Sequence, residues 1–599
     1  MDVPAQKAHS APFSTPVYTP ARTLSDTTRY LCAAAYLHQE FGEAAIQEVL
    51  EDERRAVAPS FGFDLDPVVR HCLRARRLML ARDLRVTGLV IAGLLVATVP
   101  TVCWLGIGAF MRAREQPSVR RLDSGARARI YAMIFLVTVL VLCFAGSLGF
   151  ALTMAFSLVS LQGPSVELFS ASPVDLGEVW FSERVRDLGV LMFGLAPILL
   201  AVFTYLVLLH YRRESLGILV RELAPGQPAR VYPTRSSRIE RRLARVAASQ
   251  RGNITVQESN PFIGAGTVTH GWSFAVTLRE IMSRITTTGQ PDPEPEDPRE
   301  PVRLDPVALV RHVRAAVLRM RDSALPERER VAGLYLAPHV VADGVRDQDD
   351  PLLDPRSGMP YSEASQEALE AIIRSPQGGL RYYERIVVPM GGKRIETEDG
   401  RAVLPAQSLG FEVVAFVHLA VEGGRLYTEF MATVLPPVRR EYRLPDALHE
   451  DQINSRSVRD TLGRFAADTA TAPGRLVRGL RDRRRVVSRM DRASLDSQEF
   501  RAYDYGARLS VRELAAESHT RKFLQALDGW KYTKLLDRVV SEAIIDFLTD
   551  NGVDTTEFRV GVTHVHNNYG GIEVSGGQVN LGGANPTFGQ TNDGSASNG

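Results

Sequence analysis

Lysine, cysteine and catalytic signatures are scarce or missing in this chain, and each shortage excludes something. Nearly all of the 71 basic residues are arginine. Cys32, Cys72, Cys103 and Cys143 form no CxxC pair, and none stands near a histidine at metal-ligand spacing. Neither a disulfide framework nor a structural zinc site is expected from such a set. No G-x-x-x-x-G-K-[ST] loop, G-x-S-x-G elbow or H-E-x-x-H pair occurs; Gly391-Gly392-Lys393 lacks the rest of a phosphate loop. No apolar h-region follows the start, so a cleaved secretory signal is not expected. A net charge of +2 over 599 residues offers no global field to steer a nucleic acid.

Long apolar runs are what the chain does have. Residues 130–161 and 188–209 carry no charge. A helix rises about 1.5 Å per residue, so roughly 20 residues cross a hydrocarbon core of about 30 Å. Both runs are expected to be full spans, the second kinked at Pro197. A third run, 86–110, holds Pro100 at its middle and is flanked by arginine on both sides. Basic flanks stay on the cytoplasmic side. The run therefore reads as a re-entrant hairpin or, alternatively, as a third crossing. The membrane-flanking basic residues are Arg76, Arg77, Arg82, Arg85, Arg112, Arg114, Arg120, Arg121, Arg212 and Arg213. The loop between the two full spans carries Glu167, Asp175, Glu178 and Glu183 and reads as the outer one. No ionisable residue lies inside a full span, which argues against ion-coupled transport.

The expected fold class is a membrane α-helical segment, two full spans plus the third run, followed by a cytoplasmic α+β domain. Residues 1–22 are expected to be disordered and 23–85 to form a basic helical hairpin. The transmembrane region covers 86–210 and an arginine-rich connector covers 211–250. The α+β domain covers 251–560, and residues 561–599 form a Gly/Asn-rich tail. Within the domain, helical spacing marks 305–323, 362–375, 457–492 and 521–551. Strands are expected at 331–341, at RYYERIVVPM and on both sides of Glu422-Gly423-Gly424, a hairpin turn.

Chemistry is thin. His564-x-His566 and the Asp349, Asp350 and Asp354 cluster are the nearest approaches to metal sets, and both read better as tail and loop residues. Trp272 and Phe274 read as core. The arginines at 475–489 have no interleaved aromatic platforms, so nucleic acid is not an expected partner. No catalytic, cofactor-binding or metal residue is assigned, and no cofactor is expected.

The segments RYLCAAAYLHQEFGEAAIQEVLEDERRAVAPSFGFDLDPVVRHCLRARR, NPFIGAGTVTHGWSF, DYGARLSVREL and DFLTDNGVDTTEFR carry a resemblance. Together they resemble uncharacterised multi-spanning integral membrane proteins of actinobacteria, Streptomyces-like. The resemblance implies a topology and no activity. The tail is loosely similar to the Gly/Asn-rich signalling tails of some bacterial conflict and immunity proteins.

The functional expectation is a non-enzymatic, multi-pass protein of the plasma (inner) membrane that anchors a cytoplasmic sensor or partner-binding domain. Its partners would be a bilayer with anionic headgroups and either another protein or a second copy engaged through Asn567–Gly599. The alternatives are a membrane effector assembling through that tail, and an enzyme with an unfamiliar site within 252–450.

Overall fold

A computed structural model describes residues 11–116, 124–141, 195–280, 302–326, 329–331, 333–392, 395–397, 399–405, 407–517, 523–567, 572–575 and 578–581. Its centre is a six-stranded sheet. The strands are β1 (Ile254–Gln257), β2 (Thr267–Thr277), β3 (Tyr335–Asp343), β4 (Leu380–Gly392), β5 (Gln407–Glu422) and β6 (Arg425–Leu435). They lie in the order β1-β3-β4-β5-β6-β2. β1 runs parallel to β3, and every other pairing is antiparallel.

The β5–β6 hairpin is fixed locally. Glu422 pairs with Arg425 across a two-residue turn. Gly423 and Gly424 both have positive φ, 56° and 72°, the backbone that a tight turn between right-twisted strands requires. Alternation then sorts the side chains. Val413, Ala415, Val417, Leu426, Phe430 and Trp272 share one face. Over it pack three helices, α8 (Pro306–Arg319), α9 (Gln366–Arg374) and α11 (Phe523–Asp550). Asp305 and Ser365 cap the first two by accepting from backbone N–H groups. Trp272 and Phe274 are core residues: their rings stack at 4.5 Å, and Trp272 Nε1 donates to the buried Asp537 at 2.8 Å.

On the opposite face, Val387, Val414 and Phe416 sit under Phe61 and Phe262. The central strands are thus apolar on both sides, which explains the nearly unbroken run Val413–Val417.

The N-terminal third is helical. Its helices are α1 (Asp26–Leu37), α2 (Gln39–Leu50), α3 (Leu65–Val96), α4 (Thr98–Glu115), α5 (Ser124–Val141), α6 (Ala196–Arg221) and α7 (Ser237–Ser249), and the later helix α10 (Gln452–Glu499) packs among them. α10 is about 72 Å long at helical rise and packs along α3, α4 and α6. It continues through Pro473 and is longer at both ends than the 457–492 pattern implied. α12 (Thr556–Asn567) packs on β2 and contains His564 and His566. The tail adds a short hairpin, Ile572–Ser575 with Gln578–Leu581.

The expected membrane segment of two full spans plus a third run does not stand; the described chain is an α+β protein in which one helix, α5, is long and apolar enough to cross a bilayer. The 86–110 run is divided at Ala97 between α3 and α4, and these pack on each other, Gly93 facing Thr101. α3 is about 48 Å long and starts inside the N-terminal helical core. Its apolar half is therefore the far end of a half-buried helix. The 188–209 run is likewise the first part of α6 as far as it is described, and Leu216, Ile218 and Leu219 of that helix are core. Residues 142–194, on which the rest of both runs falls, lie outside the described residues. Of the stretch 1–22, residues 1–10 also lie outside; Phe13–Ser14 pairs with Glu363–Ala364, and Tyr18 donates to Asp64.

Candidate functional site

Among the described residues, exposed large apolar side chains gather on α3, α4, α5 and α6. Leu94 and Leu95 on α3, Ile107 and Phe110 on α4, Phe135 and Leu140 on α5, and Val202 and Phe203 on α6 are all exposed. Leu95 is 76% exposed and Phe135 71%, whereas Phe416 and Phe430 of the sheet are at 0%. Contacts make these helices neighbours: Phe110 meets Tyr131 at 4.9 Å, and Trp104 and Tyr205 both meet Phe465 of α10. A folded chain rarely exposes so many large side chains together unless something covers them.

Below this apolar end the bundle is tied by a chain of charges. Arg82 donates to Asp83 at 2.8 Å, and Arg475 reaches the same carboxylate at 3.0 Å. Arg475 also lies 3.6 Å from Asp468, which pairs with Arg212 at 2.7 Å. The ladder joins α3, α10 and α6. Arg82 also stacks over the Tyr211 ring, 4.4 Å to its centroid.

The flanking arginines thus divide. Arg82 and Arg212 belong to the ladder. Arg76 is half-buried, and burial lowers its pKa from the ordinary arginine value, with the charge of Arg483 adding to the effect. Arg77, Arg85, Arg112, Arg114 and Arg213 are exposed. Arg120 and Arg121 lie outside the described residues.

Other arginines act as internal braces that the sequence pattern did not reveal. Arg242 is fully buried and donates to three backbone carbonyls, those of Val49, Glu53 and Arg55, at 2.9–3.1 Å. Burial pushes its pKa down to about 10. Arg29 bridges Leu223 O and Asp446, each at 2.8 Å.

The face of the sheet opposite α8, α9 and α11 holds a second, polar surface. A shallow hollow of about 360 Å³ is lined by Arg381, His418, Ala420, Glu422, Arg425 and Tyr427. Next to it Glu429 accepts from Tyr383 and Tyr427, each at 3.3 Å. His418 Nδ1 lies 2.7 Å from the Tyr382 carbonyl, and burial pushes its pKa down to about 4. The imidazole is therefore neutral near pH 7 and occupied by the backbone. Alternation in β4, β5 and β6 places these residues on one face, but only the three-strand register brings them together.

Among the described residues no group of three or more His, Cys, Asp or Glu is arranged to hold a metal. Asp350 is engaged by Arg346 at 3.0 Å and by the Leu352 amide.

With the sheet and its helices in place, the comparisons can be set against the geometry. A family profile described as the AbeC-like domain matches residues 271–584. The chain belongs to the AbeC-like domain family. The match begins within β2 and includes β3–β6, α8–α12 and the tail hairpin, so the AbeC-like domain covers the sheet apart from β1 and the start of β2, together with its covering helices and α10. The bundle helices α1–α7 precede the matched region. No curated protein and no solved structure matches the chain.

Proposed function

We propose that this AbeC-like protein is a membrane-attached, non-enzymatic module. The apolar end of its bundle lies in a bilayer, and its sheet domain presents a polar face to a cytoplasmic partner or signal. The observation that carries this reading is the shared exposure of large apolar side chains on α3, α4, α5 and α6. Two further features favour lipid as the occupant over another protein. None of α5 is buried. Exposed arginines, Arg85, Arg112, Arg114 and Arg213, flank the apolar side chains on three helices, where anionic headgroups contribute about 1 kcal/mol per basic residue.

Vesicle flotation tests it. The full chain is expected to float with vesicles of phosphatidylethanolamine and phosphatidylglycerol. The double variant Leu95→Glu with Phe203→Glu should stay at the bottom while keeping its far-ultraviolet spectrum. A wild-type chain that is monodisperse without detergent and fails to float rules the reading out. A detergent-free dimer that does not float points instead to a second copy as the occupant.

A second reading has one observation in its favour. The tail forms a hairpin with four register pairs, Ile572↔Leu581 to Ser575↔Gln578, and a lone two-stranded hairpin is marginal until it gains a further strand. Assembly through residues 567–599 would supply one. Deleting them should then lower the oligomer size on a native gel, and an unchanged size would dismiss this reading.

A further inference from the structure

A cavity of about 340 Å³ opens between the N-terminal helices and the sheet. Its volume falls within the ordinary range for small-molecule sites. The wall from the sheet carries Tyr335 of β3 and Arg385 of β4; the opposite wall carries Phe61, Gly62 and the hydroxyls of Ser25 and Thr28. Arg251 stands among the lining residues as a second cation, 3.9 Å from the carboxylate of Asp64, which lines the cavity as well.

Arg385 is unlike the braced arginines of this protein. Its Cζ lies 4.0 Å from the centroid of the Phe61 ring. Its Nε is sealed from solvent and meets no acceptor among the described residues. Burial lowers its pKa, and the charges of Tyr335, Glu412 and Glu384 only partly offset that. Glu384 points to the other face of the sheet, where it is held by Arg314 and Tyr382. Glu412 of β5 is the acid that acts on Arg385 from the cavity face of the sheet, while the carboxylate lining the cavity itself is that of Asp64. Its Oε1 lies 3.1 Å from where a Cβ on Gly62 would stand, and its Oε2 is also sealed and unpartnered. Burial raises its pKa above the usual carboxylate value. Among the described residues it forms no ion pair with Arg385.

Arg385 is half-buried, and a sealed guanidinium Nε–H without an acceptor is costly, so native proteins rarely keep one without a use. Arg242 shows that this fold can satisfy such a group with carbonyls. At Arg385 the place of those carbonyls is cavity. A planar, five-donor fork matches a carboxylate or a phosphate, and its pre-orientation by Phe61 lowers the ordering cost of binding.

We infer that this cavity is a binding site for one small organic anion, a carboxylate or phosphate seated on Arg385, with the Arg251 charge on its other side. The site lies apart from the apolar bundle end and does not depend on membrane attachment.

Thermal unfolding of the full chain in detergent, with inorganic phosphate, adenosine monophosphate, benzoate or neutral adenosine as probes, tests the inference and separates the two anion classes. At least one anion should raise the unfolding temperature, and adenosine should not. In Arg385→Gln the affinity for that anion should fall at least tenfold, while Arg381→Gln on the same strand should retain it. Without probe, Arg385→Gln should unfold at or above the wild-type temperature, because it removes an unpaired buried charge. The inference is overturned if no anion shifts the wild type, if the shift persists in Arg385→Gln, or if Arg385→Gln is less stable without probe. Should that variant fail to fold, Arg385→Lys decides: an anion shift undiminished by loss of the planar fork overturns the inference.

Discussion

The sheet domain and the far end of the helical bundle are built from similar apolar side chains put to opposite use. In the sheet, Val413, Ala415, Val417 and Phe430 meet α8 and α11 across one face, while Val414 and Phe416 meet Phe61 and Phe262 across the other. At the bundle end, Leu95, Phe135 and Phe203 face outward. Hydrophobicity alone therefore does not say where a residue sits in this protein. Partners do: strands β4–β6 are each flanked by another strand and covered by helices, whereas α3–α6 pack on one side only.

The largest effect should come from deleting a closed-core ring. Phe430→Ala removes a side chain at 0% exposure that stacks on Trp272 at 5.7 Å. It should cost about 3–5 kcal/mol in denaturant unfolding. The same truncation at the bundle end, Phe203→Ala, should stay within about 0.5 kcal/mol. Equal losses at both sites would erase the contrast.

Next in size is the charge ladder. Asp83→Ala leaves Arg82 and Arg475 without their shared carboxylate. Removing one partner of a buried pair costs about 3 kcal/mol. A loss below about 0.5 kcal/mol in the same unfolding assay would show that the ladder does not hold α3 to α10.

The smallest effect is pH-dependent. His339 lies buried against the Phe416 ring, its Nε2 3.2 Å from the Pro261 carbonyl, and burial pushes its pKa from 6.5 to about 3. The unfolded chain then binds more protons than the folded one between those values. Stability from this group is present above pH 6.5 and is lost as pH falls toward 3, by at most about 1.4 kcal/mol per unit. His71 and His418, each pushed to about 4 by burial, act in the same direction. Glu384 and Glu412, raised by burial, oppose it. A difference measurement isolates one group: unfolding temperatures of His339→Gln should decline less steeply than wild type between pH 6 and pH 4. Identical slopes would place the imidazole in contact with water.

The sheet's local parts were legible in the sequence. Gly423-Gly424 with alternation on both sides marked the β5–β6 hairpin, and Asp305 marked one helix start, while the helix expected from Ser362 begins three residues later, capped by Ser365. The bundle was misread for a physical reason. An apolar run beside arginines looks the same whether the arginines meet headgroups, aspartates or carbonyls. Arg82 and Arg212 meet aspartates contributed by α3 and α10, and Asp468 is separated from Arg212 by 256 residues. The division at Ala97 was equally hidden, because Pro100 is tolerated in the first turn of α4 and marked no break of its own. Arg385 carried no signal either. Within RYYERIVV it is one polar position of an alternating strand, and only the loop at Phe61 and Gly62 makes a cavity of its surroundings.

Cys103 offers the most direct test of the proposed bilayer attachment. It is a free, exposed thiol on α4, while Cys32 and Cys72 are buried. With Cys143→Ser as background, an environment-sensitive fluorophore on Cys103 should shift to the blue on adding anionic vesicles. It should then be quenched by lipid-borne nitroxide and shielded from aqueous iodide. A label that remains open to iodide and untouched by the nitroxide lipid would contradict the placement of α3–α6 in a membrane.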